Sequence, residues 1–154
     1  MQLSDLIEAG AVRSIGSVTS KKRLFQEIGE ISFAAYGIKA DDVIQALQER
    51  ETLGPTGVGH GIALPHARLD GIDGVRGVFV RLEKALEFEA IDRQPVDLIF
   101  ALLAPLESGV EHLKALALVS RTMRDAGLCA KLRANTNPAI IHTVLTEAPR
   151  VQAA

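Results

Sequence analysis

Two histidines, His60 and His66, lie in the segment Gly54–Arg68, which reads GPTGVGHGIALPHAR. Four glycines let the backbone turn tightly before Ile62, and Pro65 stiffens it immediately before His66. Neutral imidazole is a good nucleophile near neutral pH, and the backbone N–H groups of a glycine-rich loop can approach an anion. The segment therefore predicts that His66 accepts a phosphoryl group, although a solvated or packed histidine is the alternative for any single loop residue.

The short apolar run Gly61–Leu64 predicts a buried strand that carries Pro65 and His66 to its end. Upstream, a helix that begins at Asp41 ends at Arg50 and Glu51, which places Arg50 at the mouth of the site. Downstream, Ser108 and Glu111 have capping-box spacing, which puts His112 in the first turn of a helix. We expect the helix N-terminus to lower the pKa of His112 and to favour the neutral ring.

The run VGHGIALPHA at Val58–Ala67, preceded by Glu51, resembles the phosphorylation signature of the fructose/mannitol-type enzyme IIA proteins. These proteins belong to the bacterial phosphoenolpyruvate-dependent phosphotransferase system. The resemblance implies that His66 takes a phosphoryl group from the phosphocarrier HPr, and that Arg50 and His112 support the transfer. It implies no metal and no cofactor, since guanidinium and imidazole donors can stabilise the phosphoryl charge.

Two positions, His60 and Arg68, depart from the family pattern. His60 is expected either to add a donor near the phosphate or to cap the glycine loop, and we favour the loop role.

Two other chemistries fit the residue types less well. A hydrolase triad of Ser108, His66 and Asp97 lacks the Gly-x-Ser-x-Gly elbow. A metal site built from His60, His66 and His112 would have no cysteine and no ligand-spaced carboxylate pair. A non-enzymatic regulator, in which phosphorylation of His66 selects the partner, remains open because it would use the same site.

The composition excludes several partners. A chain of 154 residues with a net charge of −2 offers no basic surface for nucleic acid or anionic membrane. No apolar run is long enough to span a bilayer, and the N-terminus does not read as a signal peptide, so we expect a cytoplasmic protein without membrane insertion. The single cysteine, Cys129, has apolar neighbours and is expected to be a packed thiol.

Short strands alternate with helices along the chain, which predicts an α/β fold. We expect a three-layer single domain with a small mixed β-sheet flanked by helices on both faces, in agreement with the family's fold. Residues 1–147 would form this enzyme IIA type-2 domain, and residues 148–154 a flexible tail. The predicted strands are Ala11–Ile15, a half-buried strand over Val75–Leu82, Ala85–Phe88 and a central strand over Val96–Leu103, and a turn is expected over Leu69–Gly74. Further helices are predicted at the start of the chain as far as Gly10, from Ser20 to Gly37, over Leu128–Arg133 and from Asn137. His142 is expected on the surface face of the last helix.

The form of the motif, GVGHGIALPHA, most resembles the nitrogen-related regulatory branch of the family. No linker, IIB cysteine domain or membrane segment accompanies it, so the expected partners are HPr and regulated target proteins. The alternative is a fructose/mannitol-type transport system, in which the phosphoryl group would pass to a cysteine of a separate IIB domain.

Overall fold

The computed structural model describes residues 1–147, and the expected tail at residues 148–154 lies outside the described part. Within it, five α-helices accompany a six-stranded sheet. The sheet is mixed and flanked by helices, as the sequence predicts. The strands are β1 (Val12–Ile15), β2 (Gly57–Gly59), β3 (Ile62–Ala63), β4 (His66–Leu69), β5 (Arg76–Leu86) and β6 (Val96–Pro105). The helices are α1 (Lys21–Tyr36), α2 (Ala40–Thr52), α3 (Gly109–Met123), α4 (Ala126–Ala134) and α5 (Pro138–Glu147).

The sheet has the order β1-β5-β6-β3-β2, and β4 also pairs with β6. β5 and β6 are antiparallel, whereas β1 is parallel to β5 and both β3 and β4 are parallel to β6. Helices α1 and α2 pack on each other and against β5 and β4, while α3 and α4 pack against β6 and β5 and α5 packs against β1. Because β5 and β6 bury both of their faces at their centres, the two groups of helices cover opposite sides of the sheet.

Two helix ends follow their local sequence signals. The hydroxyl of Ser20 accepts a hydrogen bond from the Arg23 backbone at 3.1 Å, which caps the N-terminus of α1. Gly37 ends the same helix in the left-handed conformation, with φ of 71°. Both predictions are confirmed because each depends only on residues within one turn of the helix end.

The region after His66 was predicted wrongly. His66 does not lie at the end of the preceding strand but begins β4, which pairs with β6 from Leu102 to Pro105. The Pro65 carbonyl accepts a hydrogen bond from the Leu102 backbone at 2.9 Å, so the ladder resumes directly after the proline. The turn accordingly starts one residue later than expected, after Leu69.

Several further predictions need correction. β5 is buried on both faces at its centre rather than half-buried, since Phe79 packs edge-on against Phe100, and it absorbs part of the strand expected over Ala85–Phe88. The opening helix consists of two short 3-10 segments, Leu3–Asp5 and Ala9–Ala11. The Ser108 hydroxyl donates to the Pro105 carbonyl at 2.7 Å and forms no capping box.

His142 was predicted to lie on the surface, but it is half-buried. Its Nε2 lies 3.0 Å from the Ile7 carbonyl, which joins α5 to the N-terminal segment. This contact spans nearly the whole chain and leaves no local signal in the sequence. Cys129 is buried as expected, and burial raises the pKa of its thiol.

Candidate functional site

The glycine-rich segment reaches His66 through a tight turn between β2 and β3. Gly59, His60 and Gly61 all have positive φ, at 100°, 57° and 80°. The positive φ of Gly61 favours glycine, and a Cβ there would lie 2.6 Å from the Arg133 guanidinium, so a larger residue would displace that side chain. The turn is therefore closely packed against α4.

An ion pair fastens this turn to the sheet and to α4. Asp97 of β6 accepts two hydrogen bonds from the Arg133 guanidinium, at 2.8 and 2.9 Å. The same guanidinium donates to the His60 carbonyl at 2.8 Å. The His60 backbone N–H in turn donates to Asp92 at 2.9 Å. His60 thus contributes its backbone to the loop while its side chain is exposed, in agreement with the favoured loop role.

His66 is half-buried at the start of β4, and its ring orientation is fixed by a backbone contact. Its Nδ1 lies 2.8 Å from the Leu64 carbonyl. A carbonyl can only accept, so Nδ1 carries the proton and Nε2 carries the lone pair. The nitrogen of His66 that carries the lone pair is therefore Nε2.

Arg50 lies beside this nitrogen. Its Nε is 3.4 Å from His66 Nε2, and its Nη1 donates to the Gly54 carbonyl at 3.0 Å. The guanidinium is thus held in the last turn of α2, as the sequence predicts, with a donor next to the atom that would receive a phosphoryl group.

Glu51 ties the end of α2 to the glycine-rich segment. Its carboxylate accepts hydrogen bonds from the Thr56 backbone and hydroxyl at 3.0 and 2.7 Å, and it pairs with Lys21 at 2.9 Å. Only 7% of its side chain is exposed. Glu51 therefore connects two segments that carry site residues, which gives a structural reason for its place in the motif.

His112 meets His66 from the first turn of α3. The two rings pack edge to face, with centroids 5.6 Å apart. His112 is buried, and its Nδ1 lies 3.4 Å from Nε of Arg68, a residue for which the sequence suggested no role. No atom of the described residues hydrogen-bonds the buried Nε2 of His112. His112 therefore has a buried nitrogen without a partner among the described residues, in a ring that packs against His66.

Both rings are biased towards the neutral form. Burial is the largest effect and lowers the pKa of His66. The hydrogen bond to the Leu64 carbonyl raises it by less, and the lowering effect of the Arg50 cation and the raising effect of Glu51 are smaller still. Burial also lowers the pKa of His112, with contributions from His66 and Arg68. The predicted direction for His112 is thus correct, although burial rather than the helix dipole is the leading cause. A neutral His66 keeps the lone pair that a nucleophile needs.

The rival chemistries are not assembled. Asp97 is engaged by Arg133 and Ser108 by the Pro105 carbonyl, so neither orients His66 as a triad would. Over residues 1–147, no cluster of three or more histidine, cysteine or acidic side chains could hold a metal ion.

Comparison with known proteins decides the family. The model of the EIIA 2 family of the phosphoenolpyruvate-dependent sugar phosphotransferase system matches residues 6–148. The chain belongs to this family. Membership implies phosphotransferase activity through a phosphohistidine.

The relatives of this EIIA 2 chain include nitrogen regulatory proteins. It is 40% identical over 153 residues to one from Bradyrhizobium diazoefficiens, covering 99% of this chain and 100% of the relative. It is 41% identical over 150 residues to one from Klebsiella oxytoca, covering 96% and 92% respectively. The crystal structure of nitrogen regulatory protein IIA-Ntr from Neisseria meningitidis superimposes with a TM-score of 0.86 at 32% identity, covering 94% of this chain and 99% of that one.

Exposed apolar side chains lie directly after α2 and β6 and near the start of α3, and we call them the apolar rim. We use this name for four exposed side chains, Leu53, Leu106, Val110 and Leu113. Leu53 directly follows α2, which carries Arg50, and Val110 and Leu113 flank His112 on α3. Among the helices of the described residues, none is long and apolar enough to cross a membrane. Exposed apolar side chains around a reactive residue are typical of a protein-docking surface.

Proposed function

We propose that the chain is a histidine phosphocarrier that accepts a phosphoryl group from phosphorylated HPr on Nε2 of His66. The observation that carries this proposal is the arrangement of His66, whose Nδ1 proton is held by the Leu64 carbonyl while Nε2 lies beside Arg50. The proposed setting is the bacterial cytoplasm, where the donor would be met.

In the transfer, the lone pair of His66 Nε2 forms a new P–N bond while the P–N bond to the donor histidine breaks. The bonding electron pair leaves with the donor imidazole, and the His66 ring keeps its Nδ1 proton. Positive charge that develops on the ring is stabilised by the Leu64 carbonyl. Arg50 and the unpaired Nε2 of His112 are the groups assigned to the phosphoryl oxygens, so positioning and charge stabilisation supply the catalysis.

We further propose that the phosphorylation state regulates other proteins, as the names of the nitrogen regulatory relatives suggest. The unphosphorylated site presents the Arg50 and Arg68 cations, and the exposed side chains of the apolar rim lie close in sequence to Arg50 and His112. A phosphoryl group adds roughly two negative charges there. A partner that docks on the rim would then distinguish the two states by electrostatic complementarity as well as by shape.

The first experiment tests the acceptor. Incubation with phosphoenolpyruvate, enzyme I and HPr should add one phosphoryl group that is acid-labile and alkali-stable. His66→Ala should remain unlabelled, whereas the control His142→Gln, which alters a histidine outside the site, should be labelled to the wild-type extent. Labelling of His66→Ala to the same extent as wild type would disprove the assignment.

The second experiment separates regulation from transport. Phosphorylated wild type, unphosphorylated wild type and His66→Ala would be compared in pull-downs, in parallel with phosphoryl transfer to candidate IIB domains. We expect at least one partner that binds only one phosphorylation state. Rapid transfer to a sugar-specific IIB cysteine, with no partner distinguishing the states, would instead favour the transport branch.

A further inference from the structure

Arg68 lies two residues after His66 on β4, and alternate residues of a strand project to the same face of the sheet. Its guanidinium therefore stands on the same side as the His66 ring. There its Nε reaches His112 Nδ1, at 3.4 Å, across 44 residues of sequence. Phosphoryl transfer to His66 by itself gives no role to this contact between Arg68 and His112.

The contact determines which nitrogen of His112 carries the proton. An arginine Nε–H can only donate, so it fits His112 only when Nδ1 is the acceptor. In a neutral ring, the proton must then be on Nε2. That Nε2 is buried and has no partner among residues 1–147, which is costly unless a ligand accepts its hydrogen bond.

We propose that Arg68 is a positioning residue that holds His112 neutral with its Nε2–H directed to a phosphoryl oxygen at His66. The inference rests on the proposed phosphoryl transfer and assigns a role that the sequence did not suggest. Arg68 acts through His112 and not on the phosphoryl group itself. Without it, the His112 ring could move its proton to Nδ1 and offer Nε2 as a lone pair, which would repel a phosphoryl oxygen.

The variants are chosen to separate the donor from the bulk of the side chain. Arg68→Met keeps an unbranched stem but removes the donor and the charge. Arg68→Lys keeps a cation that can donate to Nδ1. Arg121→Met is the matched control, since it makes the same change at an exposed arginine of α3. Thermal melts of all three report whether each variant folds.

The first readout uses the unphosphorylated protein and does not depend on any transfer. Long-range proton–nitrogen NMR of the imidazole rings, with the His112 signals assigned by their loss in His112→Gln, reports the tautomer. We expect a protonated Nε2 and an unprotonated Nδ1 in wild type, Arg68→Lys and Arg121→Met, and a mixture of tautomers or easier ring protonation in Arg68→Met. An unchanged His112 ring in Arg68→Met would overturn the proposal.

The second readout is the single-turnover rate of phosphorylation at saturating phospho-HPr. Arg68→Met should slow it about two- to tenfold, the scale of one hydrogen bond, and Arg68→Lys should restore most of the rate. In a His112→Gln background, Arg68→Met should have no further effect, because the residue through which it acts is gone. An undiminished effect in that background would mean that Arg68 contacts the phosphoryl group directly, and would refute the positioning role. Loss of labelling in wild type would count against the proposed function and leave the NMR result standing.

Discussion

The ion pair that fastens the glycine loop should be a measurable source of stability. Asp97 lies in β6 and holds Arg133 of α4 through two hydrogen bonds, and Arg133 also binds the His60 carbonyl. Asp97→Asn removes the negative charge and one acceptor while it keeps the size of the side chain. The loop turn between β2 and β3 would then be held by fewer contacts.

The magnitude follows from the exposure of the two side chains. The Arg133 and Asp97 side chains are 38% and 23% exposed, so the pair lies between the surface and the interior. Exposed pairs contribute about 0.2–1 kcal/mol, whereas breaking a fully buried pair costs about 3–5 kcal/mol. Because Arg133 can turn to water and still donate to His60, we expect Asp97→Asn to lower the free energy of unfolding by about 1–2 kcal/mol. This corresponds to a decrease in Tm of about 2–8 °C for a chain of this size.

Urea unfolding followed by circular dichroism measures the change, with the m-value showing that the two-state transition is retained. The matched control is Asp73→Asn, which removes a carboxylate from the exposed pair with Arg76, where Asp73 is 94% exposed. Its stability should hardly change. If Asp97→Asn cost no more than Asp73→Asn, or if it did not couple with Arg133→Met in a double-mutant cycle, the loop-fastening role would be refuted.

Four further predictions concern the site. Arg50→Ala and His112→Gln should each slow phosphorylation by roughly tenfold to a thousandfold in single-turnover assays, with little change in Tm; global unfolding would indicate structural roles instead. The rate should rise as the pH increases through the lowered pKa of His66 and level off by about pH 6.5, since the protonated ring has no lone pair; a rate that kept rising above neutrality would contradict this. For the same reason, the part of the free energy of unfolding that depends on a neutral His66 should be complete above the unfolded pKa near 6.5 and should be lost as the pH falls through the lower pKa of the folded protein. In urea titrations at several pH values, His66→Gln should reduce this loss. Transfer from purified phospho-HPr should survive EDTA, and a bound metal required for that step would overturn the mechanism.

Elements whose signals are local were predictable from the sequence. The α1 boundaries follow from Ser20 and Gly37, since a cap acts within one turn. The apolar run of β6 correctly predicted a central strand covered on both faces. β4 was missed because it depends on pairing with Leu102–Pro105, more than thirty residues away. Strand β5 was misjudged because alternation cannot show that Phe79 meets Phe100 from β6.

The site shows the same division between local and distant information. The motif and its resemblance named His66, Arg50 and His112, and the structure brings all three together. The sequence motif could not show that Arg68 reaches His112, because that contact depends on where α3 packs.

One neglected signal was nevertheless present in the sequence. Asp97 is the only charged residue in the apolar run Val96–Leu103, and a carboxylate in a central strand is costly unless it is paired. The sequence therefore required a cationic partner for Asp97, and the basic residues near the end of α4 were candidates. Only the packing of α4 against the sheet selects Arg133, and that packing joins the pair to the glycine loop through the His60 carbonyl. A lone charge in a buried strand next to a reactive loop is thus best interpreted as a requirement for a partner that the rest of the fold must supply.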